Sequence, residues 1–450
     1  MNFDTHRAGL LLHPTSLPSG TLADAERWLD FLHAAGVRVW QMLPLGLPLV
    51  GLSPYQCASA FAVNPALFPE TQVDMRHFAG WCAKQRHWLD DYARFIIIKR
   101  EHGGATWTDW PQALRDRDPE TLAAFDAAHA DALQAVMVEQ YHADVCWQAM
   151  RAKAAARGIQ LFGDMPIFVA HDSADVWAQR DQFLLDDDGH PTLVAGVPPD
   201  YFSETGQRWG NPHYNWPAMQ ADNFSWWRAR LRAHFDWFDL VRIDHFRGLA
   251  AAWEIPASEP TAIHGEWVKA PGAELLQAIV DEMGDLPLVA EDLGIITPDV
   301  TELRHQFRLP GMSVLQFAFD EHADNPHKPE NVQPDTVYYT GTHDNDTTLG
   351  WWRTLPEHAR HEVMRQLGVE DPEAVPDAMM ATVLGSRAAL AILPMQDALG
   401  LGSEARMNTP GTDNGNWRWR FEWEAIPADL ASRLLEHIQK THRCETQPSL

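Results

Sequence analysis

Cysteine is scarce: four residues among 450, with no CxxC pair and no Cys/His ligand spacing. That excludes a disulfide scaffold and a zinc-finger arrangement, and it fits reduced thiols in a cytoplasmic protein. Basic residues are also few. Lys and Arg total 35 against 62 Asp and Glu, for a net charge of −27. With no basic run, neither nucleic acid nor an anionic membrane surface is an expected partner. No apolar stretch reaches the ~18 residues of a membrane span. Met1-Asn2-Phe3-Asp4 does not open a basic-then-apolar signal peptide. Tyr numbers 7, but Trp numbers 20. An indole offers a flat apolar face and one N–H donor, which suits stacking on sugar rings. Most of these Trp residues are nevertheless expected in the core.

Short apolar runs recur at residues 8–12, 37–43, 159–162, 240–243, 288–290, 313–318, 336–339 and 389–393. They are too short for helices and too continuous for half-exposed strands, so buried parallel strands fit. Helix-like stretches such as 24–35, 224–235 and 272–283 alternate with them. Eight strands alternating with helices predict an α/β fold, a (β/α)8 TIM barrel. A doubly wound open sheet competes, but no GxGxxG loop favours it. The chain reads as one catalytic barrel over residues 1–450. A helical insertion is expected at about 65–157 and a substrate-covering loop insertion at about 172–215, both at the catalytic face. Residues 183–190 look like a hairpin with a Gly turn.

Three strand candidates run into an acid: Leu240-Val241-Arg242-Ile243-Asp244, Leu288-Val289-Ala290-Glu291-Asp292, and Tyr339-Thr340-Gly341-Thr342-His343-Asp344. Unpaired buried charge is costly, so such acids need a reason. Parallel neighbours in one barrel would bring all three to one mouth, the layout that two-carboxylate sugar chemistry needs. Arg242 and Asp244 are two apart and share a strand face. Arg242 would favour the ionised carboxylate that a nucleophile requires; a structural ion pair is the competing reading. The apolar run before Glu291 would raise its pKa, as a general acid requires. Spacing alone does not choose between Glu291 and Asp292. His343 beside Asp344 suits gripping sugar hydroxyls. His343 has no i, i+4 His partner and no nearby Cys, so neither a metal nor another cofactor is expected.

Longer phrases surround these acids. They include Ser53-Pro54-Tyr55-Gln56, Gly163-Asp164-Met165-Pro166-Ile167-Phe168-Val169, Gly206-Gln207-Arg208-Trp209-Gly210-Asn211-Pro212 and Arg406-Met407-Asn408-Thr409-Pro410-Gly411. Together with residues 238–248, 290–298, 310–320 and 339–352, they resemble the amylomaltases, the 4-α-glucanotransferase branch of the α-amylase clan. The likeness runs from about residue 8 to 421. It implies a barrel with the acids after strands four, five and seven. Asp244 would be the nucleophile, Glu291 the acid/base and Asp344 a transition-state stabiliser, assisted by Arg242 and His343. Tyr55 would stack on the sugar next to the cleaved bond. Asp164, Gln207 and Trp209 would line donor and acceptor sites, with Asn408 a further substrate contact. Tyr201 and Phe202 would sit on a mobile loop over the cleft. Three positions depart from the family pattern: Leu52 stands where Asn is usual, Val63 where Gly is usual, and Ala252 where an aromatic is usual.

The resemblance implies a retaining double displacement on an α-1,4-glucan. A covalent glucosyl-Asp244 forms, and glucose or a maltooligosaccharide accepts the chain through its 4-hydroxyl. Such a mechanism needs the two carboxyls ~5–5.5 Å apart. A hydrolase with the same acids is the nearest alternative, because only the acceptor differs. A non-catalytic glucan-binding barrel is the remote one; it would be expected to lack an acid, and none is missing.

Overall fold

The structure is a computed structural model that describes residues 5–49, 51–199, 203–412 and 414–443. Among these residues, eight strands form a parallel sheet: β1 (Arg7–Leu11), β2 (Val39–Gln41), β3 (Gln160–Met165), β6 (Leu240–Ile243), β9 (Leu288–Ala290), β10 (Gly311–Val314), β11 (Thr336–Tyr339) and β12 (Leu390–Pro394). Their order is β10-β11-β12-β1-β2-β3-β6-β9. Each overlaps one of the eight apolar runs in the sequence, although β10 shares only Ser313 and Val314 with the run at 313–318, whose Leu315–Phe317 form a 3-10 turn. At the seam between β9 and β10, the Ala290 N–H donates to the Pro310 carbonyl at 2.8 Å. The result is the expected (β/α)8 barrel, nearly closed.

Strand alternation divides the core in two. Val39, Phe162, Leu240, Val289, Val337, Tyr339 and Ile392 meet inside the barrel. Leu161, Val241, Ile243, Leu288, Ala290 and Tyr338 face the surrounding helices. Period-two geometry makes that division automatic. It also aims the next residues. Arg242 follows Leu240 inward, and Asp164 follows Phe162. Asp292 shares the outward face of Leu288 and Ala290, whereas Glu291 continues the inward face of Val289.

The predicted helices form with small boundary changes, at Ala25–Ala34, Ser225–Trp237 and Gly272–Met283. In the first, Trp28, Leu29 and Leu32 are buried on one face. Between β2 and β3 run two long helices, Phe78–Glu101 and Ala130–Ala156, joined by Trp81 Nε1 donating to Asp144 at 2.9 Å. Trp28, Trp40, Trp107, Trp147, Trp177 and Trp227 are fully buried. Much of the Trp excess is therefore packing.

A second sheet was not legible in the sequence. β4 (Leu193–Val197), β5 (Gln207–Pro212), β7 (Ala251–Pro256) and β8 (Glu266–Lys269) form an antiparallel sheet in the order β5-β4-β7-β8. β4 with β5 and β7 with β8 are antiparallel neighbours along the chain, but the β4–β7 pairing that joins them links distant segments, and local pattern does not disclose it. The hairpin expected at 183–190 forms as a narrow one, with Gly189 at φ 90° in its turn and the Asp186 N–H donating to the His190 carbonyl at 2.8 Å. Asp186 accepts from the His190 N–H at 2.8 Å, and one bridge pairs Leu185 with Pro191. No helix of the described residues is long and apolar enough to cross a membrane.

Candidate active site

The barrel order makes β6 and β9 neighbours and puts β11 beyond β10. Asp244 and Glu291 thus leave adjacent strands at the same end. Asp244 takes the Arg242 guanidinium at 2.8 Å, while the other Arg242 nitrogen donates to both oxygens of Asp164 at 2.8 Å. Asp164 also accepts from the Tyr55 hydroxyl at 2.7 Å. Its side chain is fully covered. From β3 it ties the Tyr55 loop to β6.

Glu291 is held differently. The His245 and Leu293 N–H groups donate to its two oxygens at 2.7 and 3.1 Å. Since His245 follows Asp244, one backbone bond fixes Glu291 beside the other acid. His245 adopts φ 49°, a left-handed conformation unusual for a residue with a Cβ. Asp292 points away: it accepts from the Met312 N–H at 2.7 Å, and Arg304 lies 3.2 Å from it. Gly311 makes that approach possible, because a Cβ there would lie 2.5 Å from an Asp292 oxygen. The tertiary structure therefore separates the adjacent acids: Glu291 faces the mouth and Asp292 staples β9 to β10.

Burial raises both mouth acids. Glu291 is pushed up to about 7, mainly by loss of water and further by Asp244; Arg242 and the two backbone donors act against this. Asp244 is pushed up to about 6, again chiefly by burial, with Asp164 and Asp344 adding to it. Arg242 opposes the rise, as its position in the sequence suggested, but does not overcome desolvation.

Asp344 accepts from Asn408 Nδ2 at 2.6 Å, and Arg406 donates to its carbonyl at 2.6 Å. His343 lies between Tyr55 and Asp344: its Nε2 is 2.9 Å from the Tyr55 hydroxyl and 3.4 Å from Asp344. The Tyr55 and His343 rings stack at 5.3 Å. Trp209 Nε1 donates to Gln207 at 3.2 Å, and its ring meets His245 edge-on at 4.8 Å. Gln56 donates to Asn211 at 3.0 Å, tying the Tyr55 loop to β5. The structure therefore draws Tyr55, Asp164, Gln207, Trp209, Arg242, Asp244, Glu291, His343, Asp344 and Asn408 into one constellation. Tyr201 and Phe202 lie outside the described residues.

Four further residues carry weight that the sequence reading did not assign. Trp417 leans over both Tyr55 and His343, with centroids 5.9 Å from each. Arg406 also holds the Asn408 carbonyl at 2.7 Å. His245 bridges the acids. His13 is buried near His343 and pushed down to about 3, chiefly by burial, so it stays neutral. Arg406 and His245 lie inside the quoted phrases, which was their available signal. Trp417 had none, because its partners come from distant loops.

Of the departures, Leu52 sits at φ 63° and is half exposed. Val63 is clamped by reciprocal bonds with Gln140, at 3.0 and 2.9 Å. Ala252 is buried on β7, opposite Val268.

Fold and site together define a (β/α)8 barrel with three carboxylates at the mouth, two of them on adjacent strands and shifted towards neutral pH. Relatives give the same class a name. The 4-alpha-glucanotransferase family profile matches residues 11–76 and 68–425. The 4-alpha-glucanotransferase of Thermus thermophilus is 46% identical over 492 residues, covering 97% of this chain and 98% of that one. The chloroplastic/amyloplastic enzyme of Solanum tuberosum is 40% identical over 475 residues, covering 93% and 82%. The amylomaltase of Streptococcus agalactiae, solved in complex with acarbose, has a TM-score of 0.94 at 31% identity, covering 98% of this chain and all of that one. The chain belongs to the 4-alpha-glucanotransferase family.

Proposed function

We propose that the protein is a glycosyltransferase that moves segments of α-1,4-glucan to the 4-hydroxyl of glucose or a maltooligosaccharide. Asp244 attacks the anomeric carbon while Glu291 protonates the leaving oxygen. The resulting glucosyl-Asp244 ester is then opened by the acceptor hydroxyl, whose proton passes to Glu291. Asp344, held by Asn408, receives sugar hydroxyls as the ring flattens towards its oxocarbenium-like state. Arg242 keeps Asp244 aligned, and His343 braces Asp344 and Tyr55. Tyr55 and Trp209 supply faces for the rings on either side of the cleaved bond. A cytoplasmic setting belongs to the same proposal, supported by the unpaired Cys57, Cys82 and Cys146.

The observation that carries the reading is the 2.7 Å bond from the His245 N–H to Glu291. It seats a carboxyl raised to about 7 beside one anchored by Arg242. Two acids of unequal protonation on one bond are what acid-assisted displacement requires. Incubation with maltotriose tests it. Glucose plus a ladder of longer oligosaccharides is expected; glucose and maltose alone would assign the acids to hydrolysis.

A further inference from the structure

Exposed large apolar side chains are few among the described residues, and three of them gather in one place. Trp267 is 39% exposed, Ile263 45% and Ile295 64%. Scattered exposed apolar residues need no explanation, but a cluster does. Around this one the structure is built tightly. The Arg247 guanidinium covers one side of the Trp267 ring, 3.8 Å from its centroid, and donates to the Ile295 carbonyl. Trp253, opposite Trp267 in the β7–β8 pair, meets it edge-on at 5.4 Å. Trp253 Nε1 is in turn tied to the Ala262 carbonyl at 3.0 Å. Gly265 lets the chain wrap this indole, since a Cβ there would lie 2.7 Å from it. Trp267 is therefore held by its neighbours while keeping exposed surface, which lowers the entropy lost when a ring settles on it.

Two of its residues lie on the loops that carry the catalytic acids. Arg247 is three residues past Asp244, and Ile295 is four past Glu291. At most ~3.6 Å per residue, Arg247 lies within ~11 Å of Asp244 along the chain, and Ile295 within ~14 Å of Glu291. Both belong to loops at the carboxyl ends of β6 and β9, where substrate approaches a barrel. Exposed His264 and Glu266 precede Trp267 and offer polar groups for hydroxyls. A flat aromatic surface with polar neighbours matches a pyranose ring, which carries C–H groups on its faces and hydroxyls at its edge.

We infer that Trp267, braced by Arg247 and flanked by Ile263 and Ile295, is an outer binding platform for the distal part of a long α-1,4-glucan. The inference rests on the transferase reading and adds a length-dependent subsite to it. Short substrates end before reaching the platform; long ones gain a stacking contact.

The test compares Trp267→Ala with wild type on maltotriose and on long-chain amylose. KM for amylose is expected to rise about three- to tenfold, the worth of one stacking contact. The kcat on amylose and both constants for maltotriose should stay unchanged, and Trp267→Phe should recover most of the amylose KM. Ile295→Ser, which leaves the Arg247 brace in place, should raise the amylose KM in the same direction. Equal amylose KM values for wild type and W267A overturn the platform, as does a parallel loss on both substrates. If W267A instead converts a dimer to a monomer in sedimentation with amylose KM unchanged, the patch belongs to a second copy of the chain. Failure of the wild type to disproportionate maltotriose would overturn the transferase reading itself, a separate outcome.

Discussion

The ends of β6 and β9 place two acids in the same mouth but surround them differently. Asp244 has a guanidinium at 2.8 Å, shared with the covered Asp164. Glu291 has two backbone N–H groups and no direct ion pair among the described contacts. Both are raised by burial, yet only one has a cation within bonding distance to hold its charge. The lesson is that strand-end burial makes the pair reactive, and the identity of the partners makes it asymmetric. In the proposed mechanism the cation-anchored acid is the nucleophile and the amide-held acid carries the proton.

The sharpest way to break this comparison is Asp244→Asn, which keeps the shape and removes the nucleophile. Glucose release from maltotriose is expected to fall by about 10⁴-fold or more. Activity within tenfold of wild type would remove Asp244 from the role. Next comes Arg242→Met, which leaves Asp164 and Asp244 in the mouth without their shared cation. Breaking a buried pair of this kind costs about 3–5 kcal/mol, so the midpoint of denaturant unfolding should drop clearly and activity should fall with it. An unchanged midpoint would mean that the network is not what holds the mouth.

The pH dependence separates the two acids. Ionised Asp244 and protonated Glu291 are both needed. A bell-shaped kcat/KM is therefore expected, with its acid limb near pH 6 and its alkaline limb near pH 7. These limbs belong to the pair as a whole. Stability moves in the opposite sense to ordinary carboxylates. Glu291 binds its proton more tightly folded than unfolded, so its contribution is full below the ordinary Glu value of 4.5. It is lost as pH rises through about 7. Glu291→Gln should thus be inactive yet more stable than wild type at pH 8, by roughly 1–3 kcal/mol. A thermal melt showing equal or lower stability at that pH would contradict the raised pKa.

Smaller effects test the third acid and the loop facing it. Asn408→Ala removes the 2.6 Å donor to Asp344 and should cost about tenfold in kcat/KM, the worth of one charged hydrogen bond. The smallest change is expected at Leu52, which occupies left-handed backbone at φ 63°. Asn tolerates that conformation better, so Leu52→Asn should stabilise by about 0.5–1 kcal/mol. Scanning calorimetry would detect it, and a lowered melting temperature would show that Leu52 carries a contact of its own.

The sequence by itself determined the eight barrel strands and the positions of the acids that end three of them. Buried parallel strands must be short, apolar and continuous, and each acid interrupts such a run. It also determined the inward parity of Arg242, because residues two apart share a face. Spacing left Glu291 and Asp292 open and the family likeness named Glu291; the tertiary structure supplied the physical ground for that choice. That ground is Met312 and Arg304 taking one carboxylate and His245 taking the other. The tertiary structure alone paired β4 with β7, joining two antiparallel pairs that are distant in sequence. It also bound Asp164, which the family likeness placed along the substrate site, to both Tyr55 and Arg242. Local pattern fixes which face a side chain takes. Which neighbour it meets there, and hence its charge, depends on segments that only the folded chain brings together.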